Sequence, residues 1–134
     1  RVDQYKVVDD FGNLINPMLA EGQVHGGVAQ GIGQALTEHV VYDEDGQLLT
    51  ATFMDYAMPR ADDIPYIDFT SEPVPSTANI MGMKGCGEAG TVGALAAVSN
   101  AVQDALWARG VRQADMPFTP HKVWELLTLD DAEL

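Results

Sequence analysis

Residues 22–40 read Gly22-Gln23-Val24-His25-Gly26-Gly27-Val28-Ala29-Gln30-Gly31-Ile32-Gly33-Gln34-Ala35-Leu36-Thr37-Glu38-His39-Val40. Val24, Val28, Ile32, Leu36 and Val40 recur at every fourth position, the spacing of one face of a helix. The stripe predicts a helix that starts near Met18 or Gly22 and ends near His39. Gly22, Gly26, Gly27, Gly31 and Gly33 sit in or beside it. A glycine inside a helix costs roughly 1 kcal/mol relative to alanine, so this cluster needs a reason. The simplest is close approach of something bulky to the backbone. Gln23, Gln30 and Gln34 share a second face with Gly27, distinct from the apolar stripe. Amides both donate and accept, which suits the polar heteroatoms of a cofactor. A merely solvated polar face gains nothing from neighbouring glycines.

Working outward, residues 4–8 suit a short strand, residues 9–13 a turn, and Asn16-Pro17 a break in the chain. Residues 40–42 and 48–53 suit two strands joined by the turn Asp43-Glu44-Asp45-Gly46. Residues 56–63 suit a loop. Residues 66–71 alternate Ile67 and Phe69 with Asp68 and Thr70, the pattern of a half-buried strand. Pro73 and Pro75 end it. A second helix is expected over residues 91–109, with Leu95, Val98, Val102 and Leu106 inward and Gly110 as its C-terminal stop. Thr119-Pro120 is an N-cap and first-turn pair. It opens a short helix through Val123, Trp124 and Leu127. The expected fold class is α+β: two main helices packed on a small mixed or antiparallel sheet, plus a short C-terminal helix. One domain is expected over residues 1–134.

With 134 residues, 46% of them apolar and 20% charged, the chain is ordinary globular material able to bury a core. No apolar run reaches the ~18 residues that a membrane span needs. The polar start, Arg1-Val2-Asp3-Gln4, has no secretory apolar segment. It has no initiator Met either, so the sequence reads as part of a longer protein. Asp130-Asp131-Ala132-Glu133-Leu134 is an acidic tail expected to fray. A net charge of −13 speaks against nucleic acid and anionic membrane surfaces as partners. The single Cys86 excludes an internal disulfide, a cysteine zinc cluster and a self-contained iron–sulfur site. These features fit a cytoplasmic location. His25 and His39 lie too far apart for the usual helical metal pair, and no protein-ligated metal is expected. Gly31-Ile32-Gly33 lacks the third glycine and the leading strand of a dinucleotide fingerprint.

The second informative stretch is Lys84-Gly85-Cys86-Gly87-Glu88-Ala89-Gly90, which places glycines around one carboxylate just before a helix. Such a turn allows close backbone approach and holds Glu88 at fixed depth, where a neighbouring site can use it as a base. The competing reading is a glycine-rich helix entry with a surface Glu. Cys86 on this turn has no histidine partner by motif. It reads as a small buried residue beside a ligand.

Taken together, the two stretches resemble the molybdenum hydroxylases, the family of xanthine dehydrogenase, aldehyde oxidoreductase and carbon monoxide dehydrogenase large subunits. Residues 22–36 are similar to that family's GQ-x-x-G-G-x-x-Q-G-x-G segment, with its Asn-Pro six residues upstream. Residues 84–90 are similar to its K-G-x-G-E-[AS] motif, and residues 99–105 to the S-N-A-V-x-D-A that follows. The resemblance covers roughly residues 7–108. It implies that Glu88 stands where the family has its catalytic base, which takes a proton from Mo–OH. It implies that Gln23 hydrogen-bonds the molybdopterin and that Lys84, Gly85, Cys86 and Gly87 form the loop beside it. The implied cofactor is molybdopterin with Mo in the intact enzyme, in the cytosine dinucleotide form of bacterial members; none is expected in the isolated fragment. The implied partners are the remainder of the large subunit and the iron–sulfur and FAD subunits or domains. The implied substrate is an aldehyde, an N-heterocycle or carbon monoxide, with water as oxygen source. Large subunits of this family are several times longer than this chain, so the fragment alone is expected to be inactive. The alternative is a non-catalytic cofactor-binding or assembly module that kept the cradle and lost turnover.

Overall fold

The computed structural model describes residues 1–128; the acidic tail at 130–134 lies outside the described residues. Its elements are β1 (Tyr5–Asp9), α1 (Pro17–Leu36), a 3₁₀ turn (Ala61–Asp63), β2 (Ile67–Ser71), α2 (Ala89–Trp107) and α3 (Pro120–Thr128). Asn16-Pro17 is more than a break. The Asn16 side chain accepts the Leu19 N–H at 3.2 Å and caps α1, and Pro17 fills the first turn, where no N–H is needed. Gly110, at φ +95°, follows α2 in the left-handed conformation that a helix stop requires.

The α+β class holds, with one difference in the sheet. β1 and β2 pair in parallel, Tyr5 opposite Ile67 through Asp9 opposite Ser71, rather than in a mixed or antiparallel arrangement. A parallel pair needs a long crossover, and α1 with the segment after it supplies one. The expected antiparallel strands at 40–42 and 48–53 reduce to a single bridge between Tyr42 and Leu48. The turn between them does form: the Asp43 carboxylate accepts the N–H groups of Asp45 and Gln47. An isolated hairpin is marginal. Downstream, the chain turns instead at Thr52, whose carbonyl accepts the N–H groups of Asp55 and Tyr56.

The core joins Phe11, Val24, Val28, Ile32, Ala35, Ile67, Ala94 and Val98, with Phe11 stacked on Phe69 at 6.2 Å between ring centroids. Its centre is the seam between α1 and α2. A Cβ on Gly27 would stand 2.8 Å from the Thr91 nitrogen, one on Gly90 would stand 2.6 Å from the Val24 carbonyl oxygen, and one on Gly31 would stand 2.5 Å from the Ala94 Cβ. Small residues therefore let the two helices touch backbone to backbone. This explains why the deep positions of α2 are Gly90, Ala94, Val98 and Leu106. Leu95 and Val102, expected inward, are only half-buried. The bulky body that approaches Gly27 and Gly31 is the second helix of the same chain, not a ligand.

Candidate functional site

The helix seam brings the two glycine-rich stretches together. Gln23, exposed on α1, donates its side-chain N–H to the Gly87 carbonyl at 2.8 Å. About two turns further along α1, Gln30 Oε1 accepts from the Thr91 hydroxyl at 3.2 Å. Two of the three face-sharing amides thus point at the start of α2 and its leading loop. Gln34 goes elsewhere: with Gln30, Glu38, His39 and Tyr56 it lines an open cavity of about 510 Å³. A second cavity, about 350 Å³, lies between Thr37 and the segment from Phe53 to Arg60. No residue of the 84–90 loop lines either one; Lys84, Gly85, Gly87 and Glu88 are exposed, and Gly90 is buried in the helix seam.

Glu88 occupies the N-cap position of α2, yet its side chain makes no capping bond. Its backbone carbonyl accepts the Val92 N–H at 3.1 Å, which begins the helix. The residue is exposed, and its carboxylate has no hydrogen-bond or ion-pair partner among the described residues. A helix-capping role would show an oxygen bonded to a first-turn N–H, and none is bonded. Cys86 is half-buried and packs against the edge of the core, less deeply than the buried position expected of it.

Lys84 is committed within the chain. Its ammonium forms an ion pair with Asp10 Oδ2, and its backbone N–H donates to the Phe11 carbonyl at 2.9 Å. Asp10 Oδ1 in turn accepts the N–H groups of Val74 and Gly12, each at 2.9 Å. The Lys84 ammonium first, and then the Val74 and Gly12 N–H groups, hold the Asp10 carboxyl at about 2, well below the ordinary carboxylate range. By sequence Asp10 belongs to the turn at residues 9–13. An Asp two residues before a glycine does signal a local bond to that N–H, but nothing local announces a lysine 74 residues away. Beside it, Gly12 sits at φ +60°, and a Cβ there would stand 2.1 Å from the Gly82 carbonyl oxygen, so the two segments meet in van der Waals contact.

The loop itself fits an oxygen- and nitrogen-rich cofactor. Positions that a Cβ would fill at Gly85 and Gly87 have nothing of this chain within 4 Å. Their N–H groups donate to no acceptor among the described residues. The result is a pair of small, exposed residues with unpaired N–H groups beside an unengaged carboxylate. Among the described residues, no group of three or more His, Cys, Asp or Glu is placed to hold a metal ion. No described helix is long and apolar enough to cross a membrane.

Comparison with known proteins points the same way. The family model for the molybdopterin cofactor-binding domain matches residues 1–65. The chain is 44% identical over 123 residues to the nicotine 6-hydroxylase large subunit of Paenarthrobacter nicotinovorans, covering 92% of this chain and 15% of that protein. It is 38% identical over 127 residues to the carbon monoxide dehydrogenase large chain of Hydrogenophaga pseudoflava, covering 95% and 16%. Among solved structures, quinoline 2-oxidoreductase of Pseudomonas putida 86 superposes with a TM-score of 0.90 at 44% identity, over 95% of this chain and 16% of that one. The chain therefore spans about one-sixth of the length of the relatives it matches. The two glycine-rich stretches, the seam that joins them and these likenesses lead to one conclusion: the chain belongs to the molybdopterin-binding large-subunit family of the molybdenum hydroxylases.

Proposed function

We propose that this chain is the C-terminal part of a molybdenum hydroxylase large subunit and supplies the general base and one wall of the cofactor cradle. The observation that carries the reading is the Gln23–Gly87 hydrogen bond. It ties the amide face of α1 to the loop that presents Glu88. The cofactor, when bound, supplies the oxygen nucleophile and accepts the electrons of the substrate. The tasks of this chain are narrower. Gln23 fixes the end of the loop and keeps its amide oxygen free to accept from the cofactor. Gly85, Cys86 and Gly87 offer backbone N–H groups, and their small size lets a planar ring system approach. The Glu88 carboxylate accepts the proton released as oxygen is transferred to the substrate carbon. A base must reach that proton and hold no competing partner, and Glu88 makes no bond within the chain.

The remainder of the subunit covers the loop in this reading. Large apolar side chains stand in solvent across the chain, with Ile80 fully exposed and Met54 at 93%. Surfaces of that kind ordinarily meet another protein surface. Iron–sulfur and FAD units carry the electrons away, in the cytoplasm. The cofactor is the cytosine dinucleotide form, and the substrate class is an N-heterocycle, an aldehyde or carbon monoxide. The named relatives include nicotine 6-hydroxylase and carbon monoxide dehydrogenase large chains. Expressing the full reading frame that contains this chain, followed by molybdenum analysis, nucleotide release and a substrate panel, tests the reading. About one Mo per large subunit with CMP released on acid treatment supports it. A full-length product that binds cofactor but turns over no substrate favours the assembly-module alternative.

A further inference from the structure

The 84–88 loop is held at both ends by residues distant in sequence. At its end, Gln23 grips the Gly87 carbonyl. At its start, Asp10 grips the Lys84 side chain. Between the two grips, Gly85 and Cys86 make no backbone hydrogen bond of their own among the described residues. Glycine leaves such a segment free to take many backbone conformations, so its course depends on its anchors. Asp10 is more than half of an ion pair. Its other oxygen holds Val74 and Gly12, so one carboxylate joins the end of β1, the segment after β2 and the entry to the loop. Val74 leads into Ser76, whose N–H bonds the Gly82 carbonyl, and Gly82 lies two residues before Lys84. The loop entry is thus fixed through its side chain and through the segment that feeds it. Both partners are about one-third exposed. A pair that exposed adds little stability, which leaves its geometry as what it contributes.

We propose that Asp10 is a positioning residue: through Lys84 it sets the course of the 84–88 loop and thereby the place of the Glu88 carboxylate. The inference rests on the reading of Glu88 as the base. Asp10→Asn is a mild probe, because the amide oxygen still accepts from Val74 and Gly12 while the charge that draws Lys84 is lost. Lys84→Met removes the other partner. In the holoenzyme that contains this chain, each single variant is expected to lower kcat about tenfold, as displacement of a catalytic group by a fraction of an ångström does. KM and molybdenum content per subunit should stay within about twofold, and the double variant should lose no more than the worse single, the mark of one shared interaction. Hydrogen exchange supplies a readout independent of turnover: the Lys84 amide, which donates to the Phe11 carbonyl at the loop entry, should exchange about tenfold faster in all three variants, with amides 24–35 unchanged. Near-normal kcat in both singles, a multiplied loss in the double, or unaltered exchange at the Lys84 amide would overturn the proposal. Glu88→Gln, assayed alongside, separates the two ideas. Normal turnover there removes the base and with it the catalytic role of Asp10, whereas lost turnover with an unaltered Asp10→Asn enzyme removes Asp10 alone.

Discussion

Gly27, Gly31 and Gly90 are walled in by the opposite helix, whereas Gly22, Gly26, Gly85 and Gly87 have nothing of the chain within 4 Å of a would-be Cβ. None of these seven residues has a positive φ. The first group is glycine because α1 and α2 meet along their backbones. The second group has no such reason inside the chain. The same residue type answers two demands, an internal one that makes the fold and an external one that the fold leaves open. The second group flanks Gln23 and Glu88 in sequence.

The strongest test of this contrast is at Glu88, on the open side. Glu88→Gln keeps volume and hydrogen-bonding capacity but accepts no proton. In the intact enzyme it should cost ~10²- to 10⁴-fold in turnover, the range of a positioned acid–base group. Because the side chain caps nothing, thermal unfolding should barely move. A lowered Tm with normal rate would instead make Glu88 a structural residue. Next comes the walled-in side. Gly90→Ala drives a methyl against the Val24 carbonyl and should destabilise the chain by roughly 1–3 kcal/mol, as overpacking does. Urea unfolding with an unchanged m-value measures it; a neutral result would mean that the seam is looser than its distances indicate. Gly22→Ala and Gly26→Ala invert the sign. On an open helix face each should stabilise the chain by up to about 1 kcal/mol while lowering cofactor content in the intact enzyme. Destabilisation of the chain alone would give these glycines an internal role and end the contrast.

The smallest expected effect is electrostatic. Asp10 sits at about 2 when folded and near 4 when unfolded. A depressed carboxyl contributes stability that is full above its unfolded value and lost as pH falls through its folded value. The stability difference between wild type and Asp10→Asn should therefore be constant above about pH 4, shrink between 4 and 2, and vanish below. Denaturation midpoints across that window check it, and a difference that persists below pH 2 would assign the effect to something other than the charge.

Periodicity made much of this legible. Val24, Val28 and Ile32 marked α1, and the alternation around Ile67 and Phe69 marked β2, because both patterns are local consequences of one buried face. Thr119-Pro120 and Gly110 marked helix ends through backbone chemistry that acts within a few residues. What was not legible depended on distance. The strand direction is set by which segments pair, and Tyr5 meets Ile67 only after α1 has crossed between them. The depth of Ala94 relative to Leu95 follows from the seam, and a hydrophobicity pattern ranks leucine first. At the candidate site, Gln23 and the 84–90 loop stood out by composition. Asp10 did not, because half of its meaning lies in Lys84.

The Gln23–Gly87 bond spans 64 residues and the Asp10–Lys84 bond spans 74. Contacts of such long sequence separation carry a large loop-closure entropy and form late in folding. The rim around Glu88 therefore has no precursor in a nascent chain that has yet to extend past α2. It takes shape only once the two helices have docked.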